Sequence, residues 1–183
     1  RDEGLAAAQE AAGHYRTLAE TNPDAYLPNL ANALNNLANR LGGAGRRDEG
    51  LAAAQEAAGH YRTLAETNPD AYLPNLASAL NNLAIQLGRT GRRDEGLAAA
   101  QEATEIRRTL ANSHPDAYLP TLASALNNLA IQLGRTGRRD EGLAAAQEAA
   151  EIRRTLADAN PSAFGQALQK SLEVIAWLEG FDS

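Results

Sequence analysis

One run of eleven residues limits what this chain can fold into. Arg-Asp-Glu-Gly-Leu-Ala-Ala-Ala-Gln-Glu-Ala begins at Arg1, Arg47, Arg93 and Arg139, always 46 residues apart. Four such periods need 4 × 46 = 184 residues, and the chain has 183. Residues 47–92 copy 1–46 at all but five positions (32, 39, 40, 43 and 44), and 93–138 copy 47–92 at all but eight. A period of this length is the sign of a solenoid, in which no repeat buries its apolar face alone and each must stack on its neighbours. Residues 1–183 therefore read as a single repeat array, with repeats beginning at 1, 47, 93 and 139, and without one central core.

The repeat is helical. Ala (40) and Leu (26) supply 66 of 183 residues, while the β-branched set is thin, with one Val and five Ile; Ala and Leu lead the helix-propensity scale. An all-α fold follows, and a sheet is close to excluded. Each repeat holds two helical patterns. Over 48–66, Gly50, Leu51, Ala54, Ala57, Ala58, Tyr61, Leu64 and Ala65 share one half of a helical wheel, an Ala-lined face that allows close approach. Over about 24–41, Leu27, Leu30, Ala31, Leu34, Leu37, Ala38 and Leu41 form a stripe at i, i+3, i+4, i+7 spacing.

The punctuation agrees with this division. Gly-rich turns at 42–45, 88–91 and 134–137 close the Leu-striped helices. Asp-Glu then opens each Ala-rich helix, at the positive end of its dipole. Asn22-Pro23, Asn68-Pro69, His114-Pro115 and Asn160-Pro161 are cap plus first-turn proline. His114 is read as a cap among these. Pro28, Pro74 and Pro120, about five residues on, imply either a late start or a strained first turn.

At the same period the divergent C-terminal segment places Leu168, Leu172, Ile175 and Ala176 on Leu122, Leu126, Leu129 and Ala130. Glu173-Val174 replace Asn-Asn, and Trp177 stands where the repeats have Asn39, Ile85 and Ile131. Residues 162–180 are thus expected to be a capping helix, since terminal repeats have one face without a neighbour. The other end starts inside a repeat, on a helix without its Leu-striped partner, as expected of a fragment of a larger protein or of a face that another molecule covers.

Ala33-Leu34-Asn35-Asn36-Leu37-Ala38, then Gly45, the Asp48-Glu49-Gly50-Leu51 helix start and Ala57, resemble the tetratricopeptide repeat. The likeness is to the longer variety found in kinesin light chain and in many bacterial multidomain proteins, and it sharpens at Leu80-Asn81-Asn82-Leu83-Ala84 and Glu105-Ile106-Arg107. The repeat exceeds the 34-residue form by 46 − 34 = 12 residues. Gly50 replaces the family's small Ala, and Ala54 its aromatic. The resemblance implies a right-handed α-solenoid of about eight antiparallel helices, whose concave wall, lined by the Leu-striped helices, binds peptide segments of partner proteins.

Opposite the Leu stripe, Asn29, Asn32, Asn36 and Asn39 point in one direction on the wheel. The next repeats place Asn75, Ser78, Asn82, Ile85 and Arg89 there, then Thr121, Ser124, Asn128, Ile131 and Arg135. By resemblance this is the concave, peptide-binding face. Asn offers donor and acceptor together, so Asn36, Asn82 and Asn128 suit the backbone amides of an extended peptide. Ile85 and Ile131 add apolar contact, and Arg89 and Arg135 suit a carboxylate. The plainer reading is that these side chains are solvated or bond the next repeat. Two adjacent mid-helix Asn per repeat cost helix propensity, so packing or binding must compensate.

Other function classes have less support. A net charge of −6 has the wrong sign for neutralising phosphates, so nucleic acid is not an expected partner. There is no Cys, hence no disulfide, thiolate metal site or Cys nucleophile. No metal, cofactor or catalytic set is expected, and no apolar run is long enough to span a membrane; a cytoplasmic, non-enzymatic protein follows. His14 and His60 read as core or interface residues, and Arg-rich turns followed by Asp-Glu as a solvated rim. The expected function is a protein-interaction scaffold. The rival is a structural array that forms homo-oligomers through its uncapped N-terminal end.

Overall fold

The computed structural model describes residues 2–180; Arg1, where the first repeat starts, and residues 181–183 lie outside them. The described residues form eight helices: α1 (Asp2–Thr21), α2 (Pro23–Gly43), α3 (Arg47–Thr67), α4 (Pro69–Arg89), α5 (Arg93–Ser113), α6 (Pro115–Arg135), α7 (Arg139–Ala159) and α8 (Pro161–Glu179). No strand occurs among them. The fold is all-α, of the helical-repeat class, with α2, α4 and α6 Leu-striped and α3, α5 and α7 Ala-rich. Two compact halves divide the chain, residues 1–92 and 93–183, and within each half consecutive helices pack side by side. Connections of one or three residues make those neighbours antiparallel.

The caps explain where the helices begin. Oδ1 of Asn22, Asn68 and Asn160 accepts the backbone N–H of Ala25 (3.3 Å), Ala71 (3.3 Å) and Ala163 (3.2 Å), and the following proline occupies the first turn, where its missing N–H costs nothing. His114 takes the same place but makes no capping bond; its ring meets Tyr118 edge-on at 6.4 Å instead. The imidazole is held by that aromatic contact, which corrects the expectation of a His cap. His114→Asn should therefore raise stability by about 1 kcal/mol. An unshifted urea midpoint would refute the missing-cap account.

The second proline does not delay the helix. Pro28, Pro74 and Pro120 lie inside helices that begin five residues earlier, each losing a single ladder bond near the N-terminus. The C-termini close as the glycines suggest. Gly45, Gly91 and Gly137 have φ of 81°, 81° and 79°, and the next N–H, from Arg46, Arg92 or Arg138, returns to the carbonyl of Leu41, Leu87 or Leu133 at 3.0, 2.9 and 2.9 Å.

Leu and Ala divide the packing. In the first half Leu30, Leu34 and Leu41 of α2 bury against Ala53, Ala54 and Ala57 of α3 and Ala12 of α1. In the second, Leu122, Leu126 and Leu133 of α6 meet Ala145, Ala146 and Ala149 of α7 and Leu178 of α8. Glycine sets the closest approach: a Cβ on Gly142 would stand 3.0 Å from the Ala130 carbonyl oxygen, and one on Gly50 would be 3.2 Å from that of Ala38.

Candidate functional site

The outward face of the Leu-striped helices differs from helix to helix. On α2, Asn29, Asn32, Asn36 and Asn39 are all exposed. Asn36 and Asn39 line an open polar depression with Gly4, Ala8 and Arg40. On α4 the same positions are partly used inside the fold. Asn82 is half-buried and donates from Nδ2 to Asn35 Oδ1 of the preceding repeat at 2.7 Å. The Asn75 amide reaches the Tyr61 hydroxyl at 3.5 Å, Ser78 Oγ returns to the Pro74 carbonyl at 3.0 Å, Ile85 is half-buried and Arg89 exposed.

Asn35 and Asn82 show how the Asn-Asn dipeptide works. The first Asn of one repeat accepts from the second Asn of the next, giving a side-chain bond between α2 and α4. Beside it Gln86 is fully buried, with Nε2 donating to the Ala38 carbonyl at 3.3 Å. The costly amides are thus repaid, in part, by joining adjacent repeats.

On α6, Thr121 Oγ1 bonds the Tyr118 carbonyl at 2.9 Å and Ser124 Oγ the Pro120 carbonyl at 3.0 Å. Ser124, Asn128, Ile131 and Arg135 come together on one wall of an open cavity of about 570 Å³, which α7 and α8 complete. Sequence reasoning missed the rest of this cavity. Its floor holds Arg153 of α7, only 7% exposed. Arg153 Nη1 donates to the Ala167 carbonyl (2.9 Å) and Ser171 Oγ (2.8 Å), and Nη2 to Ser124 Oγ (3.2 Å). All three acceptors are neutral, and desolvation holds the guanidinium below its ordinary range.

Two positions set this cavity apart from the first half. Counting back two periods, 153 − 92 = 61 and 174 − 92 = 82, so Arg153 stands where the first half has buried Tyr61, and Val174 where it has Asn82. Asn127, the counterpart of Asn35, loses its donor to Val174, and its Oδ1 is buried with no hydrogen-bond partner. The signal in the sequence was Arg107 and Arg153, cations at a wheel position where the first two repeats carry Tyr15 and Tyr61.

The Ala-rich helices carry ion pairs. Arg16 meets Glu56 at 2.8 Å and Arg108 meets Glu148 at 2.6 Å, each joining successive Ala-rich helices within one half. At the turns Arg46 pairs with Glu49, and Arg138 with Glu141 at 2.6 Å, which fits the solvated-rim reading. No group of three or more His, Asp or Glu among the described residues is placed to hold a metal, and no described helix is long and apolar enough to cross a membrane.

The family profile described as "Tetratricopeptide repeat" matches residues 76–116 and 122–161, each match running from a Leu-striped helix through the Ala-rich helix after it. Residues 76–116 and 122–161 match the tetratricopeptide repeat. Such repeats generally mediate protein–protein interaction. No curated protein matches the chain. Among solved structures, the chain is similar to the crystal structure of BtubC (BKLC) from P. vanneervenii, at 18% identity and a TM-score of 0.46, over 98% of this chain and 87% of that one.

Proposed function

We propose that the chain is a scaffold for protein interaction, with the outward faces of α2, α4 and α6 receiving a peptide or partner segment, and that it acts as one module of a larger protein. The observation that carries this reading is the row Asn29, Asn32, Asn36 and Asn39. All four are exposed, and Asn36 and Asn39 line the open polar depression between α1 and α2. A backbone ligand uses both ends of each amide whatever its own side chains are.

The test separates binding amides from structural ones. Asn32→Ala with Asn36→Ala should leave stability within about 0.5 kcal/mol of the parent and abolish capture of partners by the immobilised chain, compared by quantitative mass spectrometry. Asn82→Ala should cost about 1–3 kcal/mol, because Asn35 Oδ1 is left partly buried without its donor. Undiminished capture by the double variant would overturn the proposal.

A further inference from the structure

We propose that the cavity between α6, α7 and α8 is a binding pocket for an organic carboxylate with an apolar body. It extends the reading above only through α6, and it concerns a single site.

The anion follows from Arg153. A guanidinium has five N–H donors, and three of them are satisfied, by one carbonyl and two hydroxyls. Nε–H and one hydrogen on Nη2 remain without a partner among the described residues, and no described carboxylate lies within ion-pairing distance. A cation taken out of water and given only neutral acceptors is an uncompensated buried charge. Two more cations, Arg135 and Lys170, line the same cavity with one acid, Glu173, so its lining carries 3 − 1 = +2 in a chain of net charge −6. Neither Arg135 nor Lys170 is ion-paired within the described residues. A planar fork of this kind matches a carboxylate.

The apolar body follows from the opposite wall. Val174 and Trp177 of α8 face Ile131 of α6, and Trp177 is 39% exposed, a large aromatic surface beside the buried charge. In the first half the positions of Arg153, Lys170, Val174 and Trp177 hold Tyr61, Ser78, Asn82 and Ile85, with the Asn82–Asn35 bond across the gap. The apolar wall and Lys170 thus arise where α8 departs from the repeat, beside an arginine that the preceding repeat already carries as Arg107. A volume of about 570 Å³ is in the range of small-ligand sites. A free organic acid and the acidic end of a peptide share this chemistry.

Trp177 is the chain's sole tryptophan, so its emission reports the cavity directly. Titration with 4-phenylbutyrate should change it saturably, whereas 4-phenylbutanamide, with the same body and no charge, should not. Arg153→Met should weaken the acid at least about tenfold, and Arg153→Lys, which keeps the charge but loses the fork, by less. Lys170→Met, at an exposed position, should weaken it several-fold and provides the reading if the Arg153 variants fail the circular-dichroism check for folding. A second arm uses N-acetyl-Ala-Ala-Phe with a free carboxylate: tighter binding than phenylbutyrate assigns the site to a peptide end, weaker binding to a free acid. Equal response to acid and amide, equal affinity in Lys170→Met and the parent, or no saturation by either acid up to roughly 10 mM would overturn the proposal. The assay needs no partner and leaves α2 untouched, so its failure is separable from failure of the Asn32/Asn36 test.

Discussion

Leu126→Ala should lower the free energy of unfolding by about 2–5 kcal/mol, toward the upper part of that range. Leu126 is 1% exposed on the inner stripe of α6, and the groups it packs among include Ala123, Ala130, Ala146 and Ala149. Those side chains have no rotamers with which to collapse into the hole, so most of the cavity should persist. Urea unfolding gives the magnitude, and amide hydrogen exchange gives the place: protection should fall most in α6 and in α5, α7 and α8, which pack against it. A loss under about 1 kcal/mol would mean that α6 does not seat its stripe as described.

The second large effect comes from adding atoms. Gly142→Leu should cost about 3 kcal/mol or more, beyond ordinary overpacking, because the new Cβ meets backbone and not a side chain that can turn away. The Ala130 carbonyl oxygen would be 3.0 Å from it and the Gly134 nitrogen 3.4 Å. Relief requires α6 and α7 to separate along the Ala face that lets them meet. Gly59 is the control. It is exposed in the middle of α3, with nothing within 4 Å of an added Cβ. Gly59→Leu should stabilise by about 0.5–1 kcal/mol through helix propensity alone. Urea midpoints moving the same way for both would refute the assignment of Gly142 to a close backbone approach.

Period and punctuation made most of the fold legible. The 46-residue spacing with its Leu stripe placed eight helices, the asparagine–proline pairs marked the starts of α2, α4 and α8, and Gly45, Gly91 and Gly137 marked ends through a conformation that favours glycine. The second prolines were ambiguous because a proline early in a helix costs only one bond, which propensity cannot separate from a true start. The Asn-Asn dipeptide was harder. Whether Asn82 faces a ligand or Asn35 depends on the offset between adjacent helices, which no single helical wheel contains. The cavity at Arg153 escaped for a related reason. It is built largely from departures at 170, 174 and 177, while the repeat reading rests on what the copies share.

The short connections between helices bear on the order of assembly. α4 and α6 differ at one position, Asn75 against Thr121, across Pro69–Arg89 and Pro115–Arg135. An Ala-rich helix such as α3 therefore meets nearly the same docking surface on either, and side-chain complementarity discriminates weakly between correct pairing and a slip of one whole period. Chain entropy supplies the discrimination. The three residues Ala44–Arg46 close a small loop when α3 folds back on its own predecessor, whereas a slipped pairing must close one longer by a full repeat, at a higher entropic cost. Tight glycine turns thus keep near-identical copies in sequence.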